Sequence, residues 1–353
     1  MVSSRRSFVS LGAAGATAVL GRLLSPAASH AAPASRTAVR PLIKPPHLEL
    51  GDTLALINPV IGELRPADVE AVTTSLEGLG MRVKNGARVE DCARNVPVSD
   101  VDRARELNAL FEDRAVKAIL PIRGGWGCAR LLPHLDYDLI RRNPKVLLGF
   151  SDAAALLLGI HARTGLVTFH GPMGISSWGP FTVESMKRVL FRPEAVMIAH
   201  PAGPSPDPLE SQPHTVTPGR ARGRLLGGNL TVLSSMVGSP YLTDTNGAIL
   251  FLEEVREPIS EVDRMLTHLE LAGVLDRIHG LVFGQCTRCA APASRTSLTL
   301  DEVLSDHLKP LRIPVWRGAL IGHIDRQLTL PMGVEAEIDA DRRTIQLLEP
   351  AVR

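Results

Sequence analysis

The sequence predicts an α/β protein in two parts. A parallel sheet with helices on both faces comes first, and a part with a mixed sheet follows. Three observations lead there. In the first half, apolar strands alternate with amphipathic helices, and that alternation means a parallel sheet covered on both sides. Residues 196–218 then hold six prolines and read as a linker. Beyond them the alternation gives way to a mixed order that ends in a hairpin. The expected domains are therefore 47–195 and 219–353.

The chain opens on Ser4-Arg5-Arg6-Ser7-Phe8-Val9, which resembles a twin-arginine export signal. An apolar, alanine-rich run follows from Leu11 to Leu24, and Ser29-His30-Ala31 is a small-x-small cleavage pattern. Residues 1–31 read as a signal peptide, which places the mature protein in the periplasm or cell envelope. As a membrane anchor the run is too weak: it is short, diluted by Gly12, Gly15 and Gly21, and broken by Arg22. No stable membrane span is expected once it is removed. Residues 32–46, rich in Ala, Pro, Ser and Arg, read as a tether.

Thr53–Ile57 is the first strand and ends in Asn58-Pro59. Pro66 to Leu79 is a helix with Val69, Val72, Leu76 and Leu79 on one face, and Gly80 stops it. Ser99 caps a second helix, whose Val101, Ala104, Leu107 and Phe111 share a face. The strand Ala118–Ile122 runs into the loop Arg123-Gly124-Gly125-Trp126-Gly127. Val146–Phe150 is a buried strand and Ala153–Ile160 an apolar helix, with Ser151 at the turn between them. His170, at the end of the strand Val167-Thr168-Phe169, reads as structural.

In the second part, Arg222–Leu226 is a strand, Gly227-Gly228-Asn229 a turn and Leu230–Val237 a short helix. The apolar strand Ala248–Leu252 ends in Glu253-Glu254. Ser260–Ala272 is an amphipathic helix that buries Val262, Met265, Leu266 and Leu269 and leaves His268 at the surface. Gly280–Gly284 is a strand leading to Cys286-Thr287-Arg288-Cys289. Thr299-x-x-Glu302 is a capping box. Val334–Ile338 and Thr344–Leu348 form the terminal hairpin.

Composition narrows the function. A hydrophobic share of 44% with 22% charge is ordinary for a globular chain, and 353 residues suit two domains or one large one. Aromatics at 4% are too few for stacked-base or carbohydrate platforms to dominate. Residues 1–31 carry Arg5, Arg6 and Arg22 and no acids, so removing them takes the formal charge from +2 to −1. No basic stripe argues for nucleic acid. Cys286-x-x-Cys289 reads as a loop disulfide or as two unpaired thiols. There is no second C-x-x-C, and His307 and His323 lie at no familiar ligand spacing, so neither metal nor cofactor is expected. Oligomeric state is left open, a homodimer included.

Two stretches carry candidate chemistry. A tight strand-to-helix turn at Gly149-Phe150-Ser151-Asp152-Ala153 lifts a serine oxygen beside the first free N–H groups of a helix, as a nucleophile elbow does. The match is partial, because Ala153 stands where a second glycine is expected. Alternatively Ser151 only caps the helix, with Asp152 favouring its dipole. The glycine loop reads as a wall of N–H donors, as a phosphate cradle without the P-loop lysine, or as a plain turn. A serine nucleophile needs a base and an orienting carboxylate. His323 follows an apolar strand beside Gly322. Glu253 ends a buried strand, where a carboxylate costs solvation unless it has a partner. Spacing alone also allows both to be solvated strand ends that never meet.

Taken together, the sequence resembles the LD-carboxypeptidase family (muramoyl-tetrapeptide carboxypeptidases), serine peptidases that include the microcin C immunity peptidases. The matching blocks are Arg123-Gly-Gly-Trp-Gly127, Gly149-Phe-Ser-Asp152, Thr168-Phe-His-Gly-Pro172, Gly227-Gly-Asn229, Leu250-Phe-Leu-Glu-Glu254, Asp263-Arg-Met-Leu-Thr-His268, Gly322-His323 and Pro331-x-Gly333. They span nearly all of the mature chain in order. The family more often carries tyrosine at Trp126 and Glu-Asp at Glu253-Glu254. The resemblance implies a Rossmann-like N-terminal domain and a smaller β-rich C-terminal domain with a cleft between them. It implies Ser151 as nucleophile, His323 as general base and acid, and Glu253 as orienting carboxylate, with Glu254 the alternative. It implies an oxyanion hole from the N–H groups of Asp152 and the glycine loop, Gly124 and above all Gly125. The implied reaction removes terminal D-alanine from a murein tetrapeptide at an L,D bond. Such an enzyme must also hold the free carboxylate, for which Arg123 and Arg130 are candidates, with simple solvation the alternative. Many members lack a signal and act on recycled cytoplasmic muropeptides. The rival expectations are an immunity-type peptidase that cleaves acyl-aminoacyl toxins, and a non-catalytic periplasmic muropeptide-binding protein.

Overall fold

Two sheets organise the molecule. The structure, a computed structural model, describes residues 40–61, 64–87, 89, 99–199, 210–289 and 298–353. The expected signal peptide, most of the tether and residues 200–209 of the expected linker lie outside the described residues.

The first part contains β1 (Thr53–Ile57), α1 (Pro66–Gly78), β2 (Arg82–Asn85), α2 (Asp100–Glu112), β3 (Val116–Pro121), α3 (Tyr137–Arg142), β4 (Val146–Gly149), α4 (Ala154–Thr164), β5 (Phe169–His170) and α5 (Pro180–Leu190). The second contains β6 (Met197–Ala199), β7 (His214–Thr217), β8 (Arg220–Asn229), α6 (Leu230–Met236), β9 (Ile249–Val255), α7 (Ile259–Leu271), β10 (Gly280–Thr287), α8 (Leu300–Leu308), β11 (Val315–Arg317), β12 (Leu330–Pro331), β13 (Glu335–Asp339) and β14 (Thr344–Leu347).

The first sheet has the order β12-β5-β4-β3-β1-β2. Strands β1 to β5 pair in parallel and β12 joins β5 antiparallel. The second has the order β6-β14-β13-β8-β9-β10-β11-β7. Its centre, β8-β9-β10-β11, is parallel, and its flanks are antiparallel. The fold is therefore α/β with one parallel-rich sheet and one mixed sheet, as the sequence predicts.

Local chemistry sets the helix starts. The Ser99 hydroxyl accepts from the Asp102 N–H at 3.1 Å, ahead of the acidic first turn of α2. Thr299 and Glu302 complete the expected capping box of α8. On α2 one expected core residue is displaced. Val101 is exposed, and Arg103 takes the inner face with its guanidinium on the Pro59 carbonyl and Asp100. A buried guanidinium is tolerable because those acceptors replace its water.

Three further expectations change. Gly227-Gly228-Asn229 is not a turn but the end of β8, paired with Phe251, Leu252 and Glu253 of β9. The proline-rich stretch 196–218 supplies β6 and β7, the two outermost strands of the second sheet. Neither strand contains a proline; Pro213 and Pro218 stand just outside β7, where no ladder N–H is lost. The apolar helix starts one residue later than expected, after a short 3-10 turn over Ser151–Ala153.

The chain crosses between the sheets late. It leaves the second sheet at β11 and enters the first at β12, where Leu330 pairs with His170. The connection between them carries His323.

Candidate active site

The hydroxyl sits where a parallel strand hands over to a helix. Strand β4 ends at Gly149, Phe150 is extended, and Ser151 takes φ 59°. A serine in the left-handed region is uncommon and marks a sharp, constrained turn. Ser151 therefore does not cap the helix; the turn points its Oγ outward. The glycine loop lies directly against it. A Cβ on Gly124 would stand 2.8 Å from Ser151 Oγ, so only glycine allows this approach. The Asp152 carboxylate accepts the Cys128 N–H at 2.8 Å and ties the end of that loop to the turn. Burial raises the Asp152 pKa above the usual carboxylate range.

Glu253 lies on β9, between β8 and β10 in the middle of the second sheet. Neighbouring residues on a strand face opposite sides, and that alternation separates the two acids. Glu253 is 0% exposed and its Oε2 lies 2.8 Å from His323 Nδ1. Burial is the largest influence and works against its charge, but the His323 imidazole, together with His170 and the Asn229 amide, outweighs it, and the net pKa is lowered. Glu254 faces away. It accepts from the Thr231 N–H and hydroxyl, the Asn229 amide and the Val255 N–H, and burial raises its pKa. Glu254 is thus held by local donors and Glu253 is the one brought to the histidine.

His323 completes the chain, with its Nε2 at 2.9 Å from Ser151 Oγ. A carboxylate on Nδ1 keeps the proton there, which leaves the Nε2 lone pair for the serine hydroxyl. The ring packs edge-on against Phe150, with centroids 4.8 Å apart. Gly322 makes the approach to Glu253 feasible: it has φ 114°, and a Cβ there would stand 2.6 Å from Glu253 Oε2. The connection carrying His323 is pinned to α5. The Thr182 hydroxyl donates to the Asp325 carbonyl, the Gln327 N–H to Thr182 and the Thr329 N–H to the Ser185 hydroxyl. Gln327 also donates to the Gly322 carbonyl at 2.9 Å. An oriented hydroxyl, imidazole and carboxylate can pass a proton from oxygen to nitrogen as a nucleophile attacks.

Ser151 and His323 open into a cleft of about 1160 Å³ that Arg123, Gly124 and Gly125 also line. Arg130 lies outside it and pairs with Asp100 at 2.7 Å, which removes it as a holder of substrate carboxylate. The sequence could not show this, since Asp100 is thirty positions away. His170 is buried between Phe150 and Phe251 and does not line the cleft; burial pushes its pKa down to about 4. Sequence reasoning missed Arg256 and Arg288, which line the cleft just beyond β9 and β10. Their position after apolar parallel strands was the available signal. It also missed the bracing by Thr182 and Ser185, which depends on a long-range contact with no local pattern. Cys286 and Cys289 form a disulfide. Among the described residues, no group of three or more metal-type ligands is assembled, and no helix is long and apolar enough to cross a membrane.

Comparison with known proteins shows the family of the chain. The LD-carboxypeptidase N-terminal domain matches residues 54–171, and the LD-carboxypeptidase C-terminal domain matches residues 222–338. A probable murein peptide carboxypeptidase of Bacillus subtilis is 34% identical over 85% of this chain and 93% of its own length. The structure of MccF in complex with glutamyl sulfamoyl guanosine is similar with a TM-score of 0.78 and 29% identity, covering 89% of this chain and all of that one. A muramoyltetrapeptide carboxypeptidase from Oxalobacter formigenes follows with a TM-score of 0.70 and 29% identity, over 84% and 97% of the two chains.

Proposed function

The chain belongs to the LD-carboxypeptidase family and is a serine-type carboxypeptidase; we propose that it acts on murein peptides and releases the terminal D-alanine of a tetrapeptide stem at an L,D bond. The observation that carries the proposal is the unbroken Ser151–His323–Glu253 relay, at 2.9 and 2.8 Å, opening on the cleft. In this reading Ser151 Oγ attacks the carbonyl before D-alanine while His323 Nε2 takes its proton. Glu253 holds the imidazole and stabilises its charge. The N–H groups of Asp152 and the glycine loop, Gly125 in particular, receive the developing oxyanion. His323 then protonates the leaving amine, and water, activated by the same imidazole, hydrolyses the acyl-enzyme.

The test is direct. Purified protein is incubated with disaccharide-tetrapeptide and free D-alanine is measured. Release by the wild type and none by Ser151→Ala supports the proposal; no release by a folded, fluorophosphonate-labelled wild type contradicts the substrate. A second reading is favoured by one observation, the higher TM-score to MccF. In it the bond cleaved is that of an acyl-aminoacyl compound. Cleavage of a glutamyl sulfamoyl nucleoside without D-alanine release would favour it. Membership of a hydrolase family leaves the non-catalytic binder without support.

Export by the twin-arginine route is part of the proposal and rests on residues 4–9 and the apolar run after them. Fusing residues 1–31 to a reporter that must fold before transport tests it. Transport that survives Arg5→Lys/Arg6→Lys would contradict that route.

A further inference from the structure

Four arginines line the cleft: Arg123, Arg256, Arg288 and Arg326. Two of them are engaged. Arg326 pairs with the buried Glu210, and Arg123 turns its Nε to the Gly124 carbonyl at 3.2 Å. Arg256 and Arg288 have no ion-pair partner among the described residues. They stand side by side, because β9 and β10 are parallel neighbours with Val255 opposite Thr287, and each arginine is the next residue. The Arg256 N–H donates to the Thr287 carbonyl at 2.9 Å, which carries the pairing one step past the strands. Both arginines then break left-handed, with φ 62° and 57°. Such a conformation in a large residue is held by its surroundings. At Arg288 the surroundings include a covalent ring: Cys286 and Cys289, with Cα atoms 5.5 Å apart, enclose it. Glu253 lies three residues before Arg256, near the end of β9, and both arginines line the cleft into which Ser151 and His323 open.

We propose that Arg256 and Arg288 form the subsite for the free terminal carboxylate of the substrate, and that the Cys286–Cys289 disulfide holds Arg288 in place for it. Two guanidinium groups at the ends of adjacent parallel strands offer paired donors to one carboxylate, where such sheets bind ligands. A carboxypeptidase must recognise that carboxylate, and the two engaged arginines are committed elsewhere. The disulfide acts through preorganisation: it limits the conformations from which Arg288 must be recruited. This inference rests on the carboxypeptidase reading, and its test separates the two.

The experiment compares a tetrapeptide ending in D-alanine with the same peptide ending in D-alaninamide. The readout is the ratio of kcat/KM for acid over amide, measured on one sample, so it does not depend on how much protein is folded. The wild type is expected to prefer the acid. Arg256→Gln/Arg288→Gln is expected to lower the ratio by about ten- to a hundredfold, by losing activity on the acid alone. Cys286→Ser/Cys289→Ser is expected to lower it by about threefold or more through KM. An unchanged ratio in the arginine variant, equal loss on both peptides, or a ratio that falls only in Arg123→Gln overturns the subsite. An unchanged ratio in the cysteine variant overturns the role of the disulfide. If the wild type cleaves neither peptide, the carboxypeptidase reading itself has failed.

Discussion

Replacing Gly124 by alanine adds one methyl group against the serine without removing any group that takes part in bond making. The new Cβ would stand 2.8 Å from Ser151 Oγ, 2.9 Å from Ser151 Cβ and 3.1 Å from Met173 Cε, where ordinary contact begins near 3.4 Å. Met173 ends in a flexible methyl and can move aside. Ser151 cannot, because its turn is fixed between β4 and α4. The serine or the loop must therefore give by roughly half an ångström. That loosens the 2.9 Å bond to His323 and moves the loop donors away from the oxyanion. Misplacement on that scale costs on the order of a hundredfold in kcat, or about 2.7 kcal/mol of transition-state stabilisation. Gly124 does not occupy the left-handed region, so alanine suits its backbone, and the stability change should stay under about 1.5 kcal/mol. The assay is kcat for D-alanine release together with the rate of fluorophosphonate labelling and urea unfolding. Full kcat in Gly124→Ala, or a loss explained by unfolding, would refute the reasoning.

Four other outcomes follow. Glu253→Gln should lower kcat by about a thousandfold or more, since an amide cannot hold the imidazole in the required tautomer. Glu254→Gln should act mainly on stability, by about 1–3 kcal/mol, because it breaks up a set of buried hydrogen bonds; equal kcat losses would mean the two acids are misassigned. His161 and His170 are pushed by burial from 6.5 down to about 4. The unfolded chain takes up those protons first, so the stability from keeping the rings neutral is present above 6.5 and is lost as pH falls toward 4. Each should lose about 2 kcal/mol between pH 7 and 5, and flat urea unfolding over that interval would contradict the burial argument. Activity should survive EDTA, and its loss, restored by a divalent ion, would count against a metal-free serine mechanism.

Much of this was legible because it is local. Alternating apolar strands and helices at Thr53–Ile57, Pro66–Leu79 and Val146–Phe150 record a parallel sheet directly. The raised turn at Ser151 is written in an apolar strand, Val146–Phe150, followed at once by an apolar helix, Ala153–Ile160, with the serine between them. What was not legible depends on contacts far apart in the chain. Glu253 and Glu254 are adjacent acids on an apolar strand, and only the positions of His323 and Thr231 assign them. Arg130 and Arg256 look alike in sequence, yet one is spent on Asp100 and the other lines the cleft. Gly227-Gly228-Asn229 carries turn composition but continues β8, because glycines there let the strand lie close to Phe251. Tertiary packing overrides turn propensity at that point.

The account turns on whether the relay at Ser151 cuts a murein tetrapeptide. Mass spectrometry of disaccharide-tetrapeptide after incubation with wild type and Ser151→Ala tests this most directly. The account predicts a tripeptide product and free D-alanine with the wild type alone. Intact tetrapeptide with a wild type whose serine still reacts with a fluorophosphonate, or equal cleavage by the alanine variant, would contradict it.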